Sequence, residues 1–484
     1  MRRALAAGCL FVLAGLPAAA ADSALACFAA DQKPEGKIAA CTAALGSGLS
    51  ADTRALALLA RADAYAGAGD RAAARRDFDA VLRLLPNHPA ALLGRARLND
   101  AEGKAQAAEA DFAGVIAAQP PQSPEILGEA YSRRGALRLA RGAAEDAAID
   151  LEHAGGLFPR DVSIRRLLAQ ARVKANQPRQ AISVLNGALS LAANDIDLLR
   201  MRALAYAQVR NFGPAINDFT AVLTALPEDQ ASLEGRGVAA LQSGIYGRAL
   251  ADFTRLADLR PGDARALFLR ANANLQGEHM DAAVADFTTV LKALPGDEES
   301  LFGRATAYMF QADYAGAEAD LGVILGKTPT AAQALARRGH VRFLRQAFKD
   351  AGTDFTRALT LPDAPTDLLL WQFVANARGG DAAAAKTLAA GLLSKGEADS
   401  WAGTVAQYFL GKISGDDLIK AARNSPGRLC EAYFHLGQAA LVQNDSAEAA
   451  KLFTAARNTG MSRYVEYAAA KIELARLIPA PPSK

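Results

Sequence analysis

The chain has 484 residues, of which 51% are apolar but only 6% aromatic, and its formal net charge is +3. A charge this close to zero excludes a broad electrostatic surface for nucleic acid. Alternation of β-branched residues is almost absent, which excludes an extended β-sheet fold, and the abundance of alanine favours closely packed helices.

The first 21 residues have the composition of an export signal. Arg2 and Arg3 precede an apolar run that is followed by Pro17 and a series of alanines. The run is shorter than the roughly 20 apolar residues that a membrane-spanning helix needs, so the sequence predicts a secretory signal peptide at 1–21. Its removal leaves 52 Lys and Arg against 51 acids, a net charge of +1. We therefore expect the mature protein in a Gram-negative periplasm.

Three cysteines remain after the signal. Cys27 and Cys41 lie on either side of a Pro-Glu-Gly turn, and such a pair in an exported protein is expected to form a disulfide. The alternative is two buried thiols. A bridge would fix a short helix onto the next one in a capping segment at 22–49, and Cys430 is expected to be a buried apolar residue.

The body of the chain repeats with a period of 34 residues, marked by prolines at 227, 261, 295 and 329. Nine units align between 50 and 363, each with two helical patterns separated by a polar turn. The first helix carries Ala or Gly at one fixed place, and the second carries alanine followed four residues later by Phe or Leu. A period of this length indicates a stack of small helical units that bury their apolar faces against one another.

A charged pair accompanies eight of the nine units, with an arginine before the small residue and an aspartate before the Phe or Leu. The fourth unit lacks both and has Leu168 and Val184, so we expect the partners to lie within one unit. We predict partly buried Arg–Asp bridges between the helices of a hairpin, rather than a ladder of arginines that grips an anionic polymer. The predicted pairs are Arg61–Asp77, Arg95–Asp111, Arg134–Asp150, Arg202–Asp218, Arg236–Asp252, Arg270–Asp286, Arg304–Asp320 and Arg338–Asp354.

The period is interrupted at 364–427, where a divergent helical region is expected. It returns at 428–478 as one further repeat and a capping helix, and 479–484 is expected to be a disordered tail.

The units between about 50 and 362 resemble the tetratricopeptide repeat (TPR) family in period, small residues, aromatic wedge and closing proline. This resemblance implies an all-α fold, a right-handed α-solenoid of helix hairpins with a concave groove. Residues 400–477, including Tyr433-Phe434-His435-Leu436-Gly437, resemble the C-terminal end of the NlpI family of bacterial envelope TPR lipoproteins. Those proteins are adaptors for peptidoglycan hydrolases and proteases; the present chain has more repeats and no convincing lipobox.

No catalytic constellation is recognisable. The five histidines show no metal-ligand spacing, and no GxSxG, P-loop or HExxH motif occurs in context. We expect no enzyme activity, no cofactor and no metal site. The alternative is an enzyme whose pocket lies in the irregular 367–427 region.

In a TPR stack the groove is lined mainly by the first helix of each unit. This face suits a short apolar peptide or helix in units seven to nine, although Phe268 and Phe302 also fit packing against the neighbouring hairpin. In units four and five it carries Arg166 and Arg200, which suit either an acidic tail or plain solvated surface. The groove candidates are Phe268, Asn272, Phe302, Met309, Phe310, His340 and Phe343.

These features predict an exported, non-enzymatic scaffold that binds other proteins or peptides in cell-envelope assembly or quality control. The alternative is a binder of peptidoglycan glycan or stem peptides. No nucleic acid and no direct membrane span are expected, and homo-oligomerisation is left open.

Overall fold

The computed structural model describes residues 18–29, 32–362, 364, 368–394 and 399–478. Within these ranges there are 27 helices and no strand. Most of the predicted signal peptide and the whole predicted tail lie outside the described residues. The chain divides into two compact units at Ala239/Ala240, inside the thirteenth helix.

Unit 1 contains helices α1 to α12 and most of α13, and consecutive helices pack against each other as hairpins. The helices are α1 Ala18–Phe28, α2 Pro34–Leu45, α3 Ala51–Gly67, α4 Arg71–Leu84, α5 Pro89–Ala101, α6 Ala105–Ala117, α7 Pro124–Ala140, α8 Ala144–Leu157, α9 Val162–Lys174, α10 Pro178–Leu189, α11 Ile196–Gln208, α12 Phe212–Ala225 and α13 Gln230–Gln242.

Unit 2 continues the same pattern through the segment where the period is interrupted and ends with a single helix that packs on the last hairpin. Its helices are α14 Tyr246–Leu259, α15 Ala264–Gln276, α16 Met280–Ala293, α17 Glu298–Phe310, α18 Tyr314–Lys327, α19 Ala332–Leu344, α20 Phe348–Leu359, α21 Leu368–Arg378, α22 Ala382–Ser394, α23 Trp401–Phe409, α24 Gly415–Ala422, α25 Pro426–Val442, α26 Ser446–Asn458 and α27 Val465–Leu477. The predicted all-α stack of helix hairpins is confirmed.

Local sequence signals set the helix ends. Several first helices begin after an aspartate that accepts a hydrogen bond from a backbone N–H of the first turn, as Asp263 does from Ala266 at 2.7 Å. The second helices α12, α14, α16 and α18 each end two residues before a repeat proline. Proline lacks the N–H donor and disfavours helical backbone in the residue before it, so the spacing of the prolines fixes the spacing of the hairpins.

Consecutive hairpins approach closely where an aromatic wedge meets a glycine. The Phe287 ring of α16 is fully buried, and its tip faces Gly303 in α17 so closely that a Cβ atom there would overlap the ring. The same relation joins Phe78 to Gly94. The wedge therefore fills its own hairpin and also sets the distance to the next one, a contact that the sequence analysis did not anticipate.

We expect Gly303→Ala to lower the free energy of unfolding by about 1–3 kcal/mol, because the added methyl group overpacks the contact with Phe287. The matched control is Gly322→Ala in α18, where an added Cβ meets nothing within 4 Å. Because alanine has a greater helix propensity than glycine, Gly322→Ala should raise the free energy of unfolding by up to about 1 kcal/mol. Urea denaturation of both variants checks this, and a Gly303→Ala protein as stable as wild type would contradict it.

Cys27 and Cys41 form a disulfide that joins α1 to α2, with an S–S distance of 2.08 Å. The bridge lies in a small apolar cluster with Ala24, Ala44 and Leu49. This segment packs at the N-terminal end of the repeats, on α3, so the bridge holds a cap that buries little apolar surface of its own.

Replacing Cys27 and Cys41 by alanine should destabilise this cap by about 3 kcal/mol, the chain-entropy value for a loop of about 15 residues. The loss should be confined to α1 and α2, because distant repeats do not contact them. Hydrogen exchange, with Cys430→Ala as the control, measures it. Unchanged protection in α1 and α2 would show that the bridge does not hold the cap.

Candidate functional site

The predicted Arg–Asp pairs connect the two helices of a hairpin. In seven of them the guanidinium Nε and Nη2 each donate to one carboxylate oxygen, at 2.6–3.0 Å. The seven aspartate side chains are only 1–10% exposed. Arg236 lies in compact unit 1 and Asp252 lies in compact unit 2, and their pairing stays a prediction. The guanidinium edges of the seven pairs are therefore occupied by carboxylates.

Some of these arginines also reach the preceding hairpin through Nη1. Arg95 donates to Asp79 Oδ1 at 2.9 Å, and Arg304 donates to Thr288 Oγ1 at 3.1 Å. Both acceptors lie sixteen residues before the arginine, on the preceding second helix. A polar residue at this offset is the sequence signal for a hydrogen bond between neighbouring hairpins, which the predicted within-hairpin pairs did not include.

The first-helix face of unit 1 varies from hairpin to hairpin, while the packing positions stay constant. The residue that follows the buried small residue of the first helix differs between α3, α5, α7, α9, α11 and α13. Leu204 is 52% exposed, Asp63 and Arg97 are also exposed, and Gln170 is half-buried. Arg97 is paired with Glu129 of α7. The residues are Asp63, Arg97, Ala136, Gln170, Leu204 and Val238.

The basic residues predicted on this face are paired. Arg166 Nη2 lies 2.5 Å from Asp195 Oδ2, and Arg200 Nη2 lies 3.0 Å from Asp229 Oδ1. The acids come from the turns before the next first helices, α11 and α13, so their charges compensate the arginines. This arrangement favours the interpretation of solvated surface over an acceptor for an acidic tail.

Three groove candidates of unit 2 are half-buried and contact neighbouring residues of the protein. Phe268 is half-buried with its ring 6.1 Å from that of Phe287, and Asn272 Nδ2 donates to the Phe268 carbonyl at 3.0 Å. Phe302 is half-buried, and the guanidinium carbon of Arg337 lies 5.3 Å from its ring centre.

Two further candidates are covered by neighbouring helices, which corrects their assignment to an open groove: Phe343 is buried and His340 is half-buried. The Phe343 side chain is 1% exposed and contacts Trp371 and Phe434, with ring centres 5.1 and 6.3 Å away. The His340 ring lies 4.7 Å from that of Trp371. The reason is that α21 and α25 fold over the end of α19 and cover the face that the sequence analysis assigned to the groove.

His340 is held neutral in this interior. Burial lowers its pKa to about 3, and the nearby charge of Arg337 acts in the same direction. Its Nε2 has no hydrogen-bond partner in the described part of the chain. His435, between Phe409 and Phe434, is the same kind of group: burial lowers its pKa to about 3, and Nδ1 is unpartnered among the described atoms.

A cavity of ≈ 720 Å³ lies in unit 2, bounded by α17, α19, the ends of α15 and α18, and the last helix α27. Two predicted candidates line it: Met309, which is buried, and Phe310, which is half-buried. The repeat pattern did not indicate that α27 and Arg337 contribute to this cavity. The lining includes the apolar and aromatic residues Leu275, Met309, Phe310, Tyr467 and Ile472 and the charged residues Glu278, Arg337, Arg463 and Lys471.

The segment before α27 closes one side of this cavity. Arg463 donates to the Tyr246 hydroxyl at 3.0 Å and to the Gln276 carbonyl, and its Nε lies 3.4 Å from Glu278 Oε1. At the other end of α27, Arg476 donates to the Leu344 carbonyl at 2.9 Å. These contacts hold α27 against the repeats.

The thiol of Cys430 is buried, and burial raises its pKa to about 11. A thiol that stays protonated at neutral pH is a poor nucleophile. In the ranges that the structure describes, no three His, Cys, Asp or Glu residues come together as metal ligands. No described helix combines the length and apolarity needed to cross a membrane.

Residues 59–124, 200–264 and 242–298 match the family model of the tetratricopeptide repeat. These segments are tetratricopeptide repeats. No curated protein sequence matches the chain. Similar solved structures include a TPR protein from Parabacteroides merdae, with 21% identity, a TM-score of 0.40 and coverage of 51% of this chain and 97% of that one. Another is the C-terminal part of a TPR protein from Cytophaga hutchinsonii, with 19% identity, a TM-score of 0.42 and coverage of 51% and 98%.

The Arg–Asp pairs are features of these TPR segments. Arg61–Asp77, Arg95–Asp111 and Arg202–Asp218 each lie wholly within a matched TPR range, and so does Arg270–Asp286. The cavity, in contrast, is bounded largely by residues after 298. The TPR ranges thus supply the regular hairpins, and the cavity belongs to the part of unit 2 that departs from them.

Proposed function

We propose that the protein is exported to the periplasm and acts there as a non-enzymatic scaffold that binds segments of other proteins. The TPR fold is consistent with a protein-interaction scaffold. The observation that carries the proposal is the first-helix face of unit 1. The position after its small residue changes from Asp63 to Arg97, Ala136, Gln170, Leu204 and Val238, while the packing positions repeat. Constant packing builds the stack, and varied exposed side chains supply recognition.

Export is supported by the signal-like sequence of residues 1–21 and by the Cys27–Cys41 disulfide, since disulfides persist in oxidising compartments. We place the role in cell-envelope assembly or quality control because the sequence motifs at 400–477 resemble those of the NlpI family. That role is part of the proposal.

Site-specific crosslinking tests the scaffold. A photo-crosslinking amino acid at Leu204, 52% exposed on α11, should yield discrete adducts with periplasmic proteins that mass spectrometry identifies. The matched control is Leu226, 46% exposed at the end of α12 and off this face, where no such adducts should form. Leu204→Asp should then abolish capture of each identified partner by the purified protein.

Two results would overturn this proposal. One is retention in the cytoplasm of a reporter enzyme fused after residue 21. The other is an identical adduct pattern at Leu204 and Leu226, since it would mean that the first-helix face selects nothing. Co-sedimentation with purified sacculi, unaffected by Leu204→Asp, would favour the peptidoglycan alternative instead.

A further inference from the structure

Arg337 is a cation that the fold leaves without an acid. It precedes Arg338, which is bound to Asp354, and it makes no ion pair or hydrogen bond within the described part of the chain. Burial lowers the pKa of its guanidinium below the ordinary value, and no carboxylate offsets this. A partly buried charge with no partner costs stability. An ion pair within the hairpin, such as that of Arg338, therefore does not account for Arg337.

The sequence register shows how this arginine fits. Gly94, Gly235 and Gly303 lie sixteen positions after phenylalanine wedges, and the wedge ring occupies the space beside each glycine. In other repeats Leu167, Met201 and Leu269 stand at this position. The wedge before Arg337 is Leu321, which is shorter than phenylalanine. A long side chain therefore replaces the glycine here, and it lies on the Phe302 ring, 5.3 Å from the ring centre.

Arg337 lines the cavity of ≈ 720 Å³. Together with the other lining residues it forms a site suited to an apolar molecule that carries one anionic group. The volume lies within the range of small-molecule pockets. Its apolar wall includes Met309, a flexible side chain that adapts to varied shapes. Lys471 at the rim adds a second cation, and the acid Glu278 is already bound to Arg463.

Two hydroxyl groups of the lining are already engaged and do not bind a peptide in the cavity. The Thr306 hydroxyl donates to the Phe302 carbonyl at 2.8 Å, and the Ser462 hydroxyl donates to Glu278 at 3.1 Å. A peptide in the cavity would need partners for each buried amide group, and these hydroxyls are already engaged. An alkyl or aryl chain needs a partner only for its charged end.

We propose that this cavity binds a monocarboxylic acid with an apolar body, such as a medium-chain fatty acid, with its carboxylate on Arg337 and its chain between α17 and α27. A guanidinium donates two parallel hydrogen bonds to a carboxylate, and the pairing is strengthened where water is excluded. The proposal is independent of the scaffold function, because the cavity lies in unit 2 and the recognition face lies in unit 1.

The test is isothermal titration calorimetry of the whole chain with decanoate. We expect saturable one-to-one binding, with decanol at least 10-fold weaker. Arg337→Gln should weaken decanoate at least 10-fold, and Arg337→Lys should be intermediate. The matched control is Arg345→Gln. Arg345 directly follows α19, is 48% exposed and is paired with Glu318, so this substitution should leave the affinity for decanoate unchanged.

Two further variants separate a ligand site from a structural role. Ala475→Trp, at an exposed lining position of α27, should reduce affinity by filling the cavity without removing a charge. Arg337→Met should abolish the binding of decanoate. The melting temperature of this variant should equal or exceed that of wild type, because a partly buried, unpaired charge is removed.

Several results would overturn the proposal. These are no decanoate binding, equal binding of decanoate and decanol, and decanoate affinity unchanged by Arg337→Gln. A lowered melting temperature in Arg337→Met with unchanged affinity would assign Arg337 to structure. An apolar tetrapeptide with a free carboxyl terminus that binds more tightly than decanoate, through Arg337, would replace the acyl ligand by a peptide.

Discussion

Replacing Arg304 by leucine is expected to lower the free energy of unfolding by about 3–5 kcal/mol, because it leaves a buried carboxylate without its partner. Asp320 is 5% exposed, and Arg304 donates to both of its oxygens, at 2.7 and 2.8 Å. The variant also loses the hydrogen bond from Arg304 to Thr288, on the preceding hairpin. The first loss acts between α17 and α18 and the second between α17 and α16, so the hairpin of α17 and α18 should open before its neighbours.

The double variant Arg304→Leu/Asp320→Val should recover most of that loss and lie within about 1 kcal/mol of wild type. The fourth repeat shows that the position accepts apolar residues, since Leu168 and Val184 pack in one apolar cluster there. A buried ion pair gains little over well-packed apolar side chains, because both charges must first be desolvated.

Urea denaturation and hydrogen exchange in α17 and α18 measure both changes. The control is Arg345→Leu, since Arg345 is 48% exposed and its ion pair with Glu318 should contribute at most about 1 kcal/mol. If the double variant were as unstable as Arg304→Leu alone, the ion pair would contribute more to the free energy of unfolding than apolar side chains do at this position. The apolar residues of the fourth repeat would then not show what this position accepts.

The hairpins were predictable from the sequence because each repeat contains the same local signals for helix ends and buried faces. Helix ends follow from prolines such as Pro227 and from capping aspartates, and buried faces follow from the small residues and the wedge. All of these signals act over a few residues, and the 34-residue period multiplies them. The within-hairpin geometry of Arg61 with Asp77 was accessible for the same reason, since joint loss of both partners in one repeat points to direct contact.

The candidate site was less predictable because it depends on contacts distant in sequence. Phe343 was assigned to a groove face, but Trp371 of α21 and Phe434 of α25 cover it. Those helices belong to segments where the period is interrupted or restarts, so no repeat rule placed them. Arg337 was overlooked because its neighbour Arg338 satisfied the pattern. The exchange of Phe for Leu321 at the preceding wedge was the available signal.

Acidification from pH 6.5 to 4.5 is expected to remove about 4–5 kcal/mol of stability from unit 2 through His340 and His435 alone. Both have folded pKa values of about 3, against an ordinary 6.5, because burial disfavours the imidazolium. Between these values the unfolded chain binds two protons that the folded chain does not. Stability is therefore fully present above pH 6.5 and falls as the pH drops toward 3, by about 1.4 kcal/mol per pH unit for each histidine.

Phenylalanine at both positions should flatten this pH dependence, since neither ring has a proton to gain. His340 lies against Phe355 and Trp371, and His435 against Phe409 and Phe434, so another aromatic ring suits each site. The unpartnered ring nitrogens mean that no hydrogen bond from those atoms is lost.

Urea titrations at pH 7.5, 6.5 and 4.5 compare the double phenylalanine variant with wild type, and His279→Phe, at an exposed turn, is the control. The double variant should lose about 4–5 kcal/mol less than wild type or His279→Phe between pH 6.5 and 4.5. Equal losses in all three proteins would mean that His340 and His435 take up protons in the folded state, through an opening of the α19–α21–α25 interior. In that event, the aromatic packing around Trp371 opens readily enough in the folded protein for both imidazole rings to be protonated.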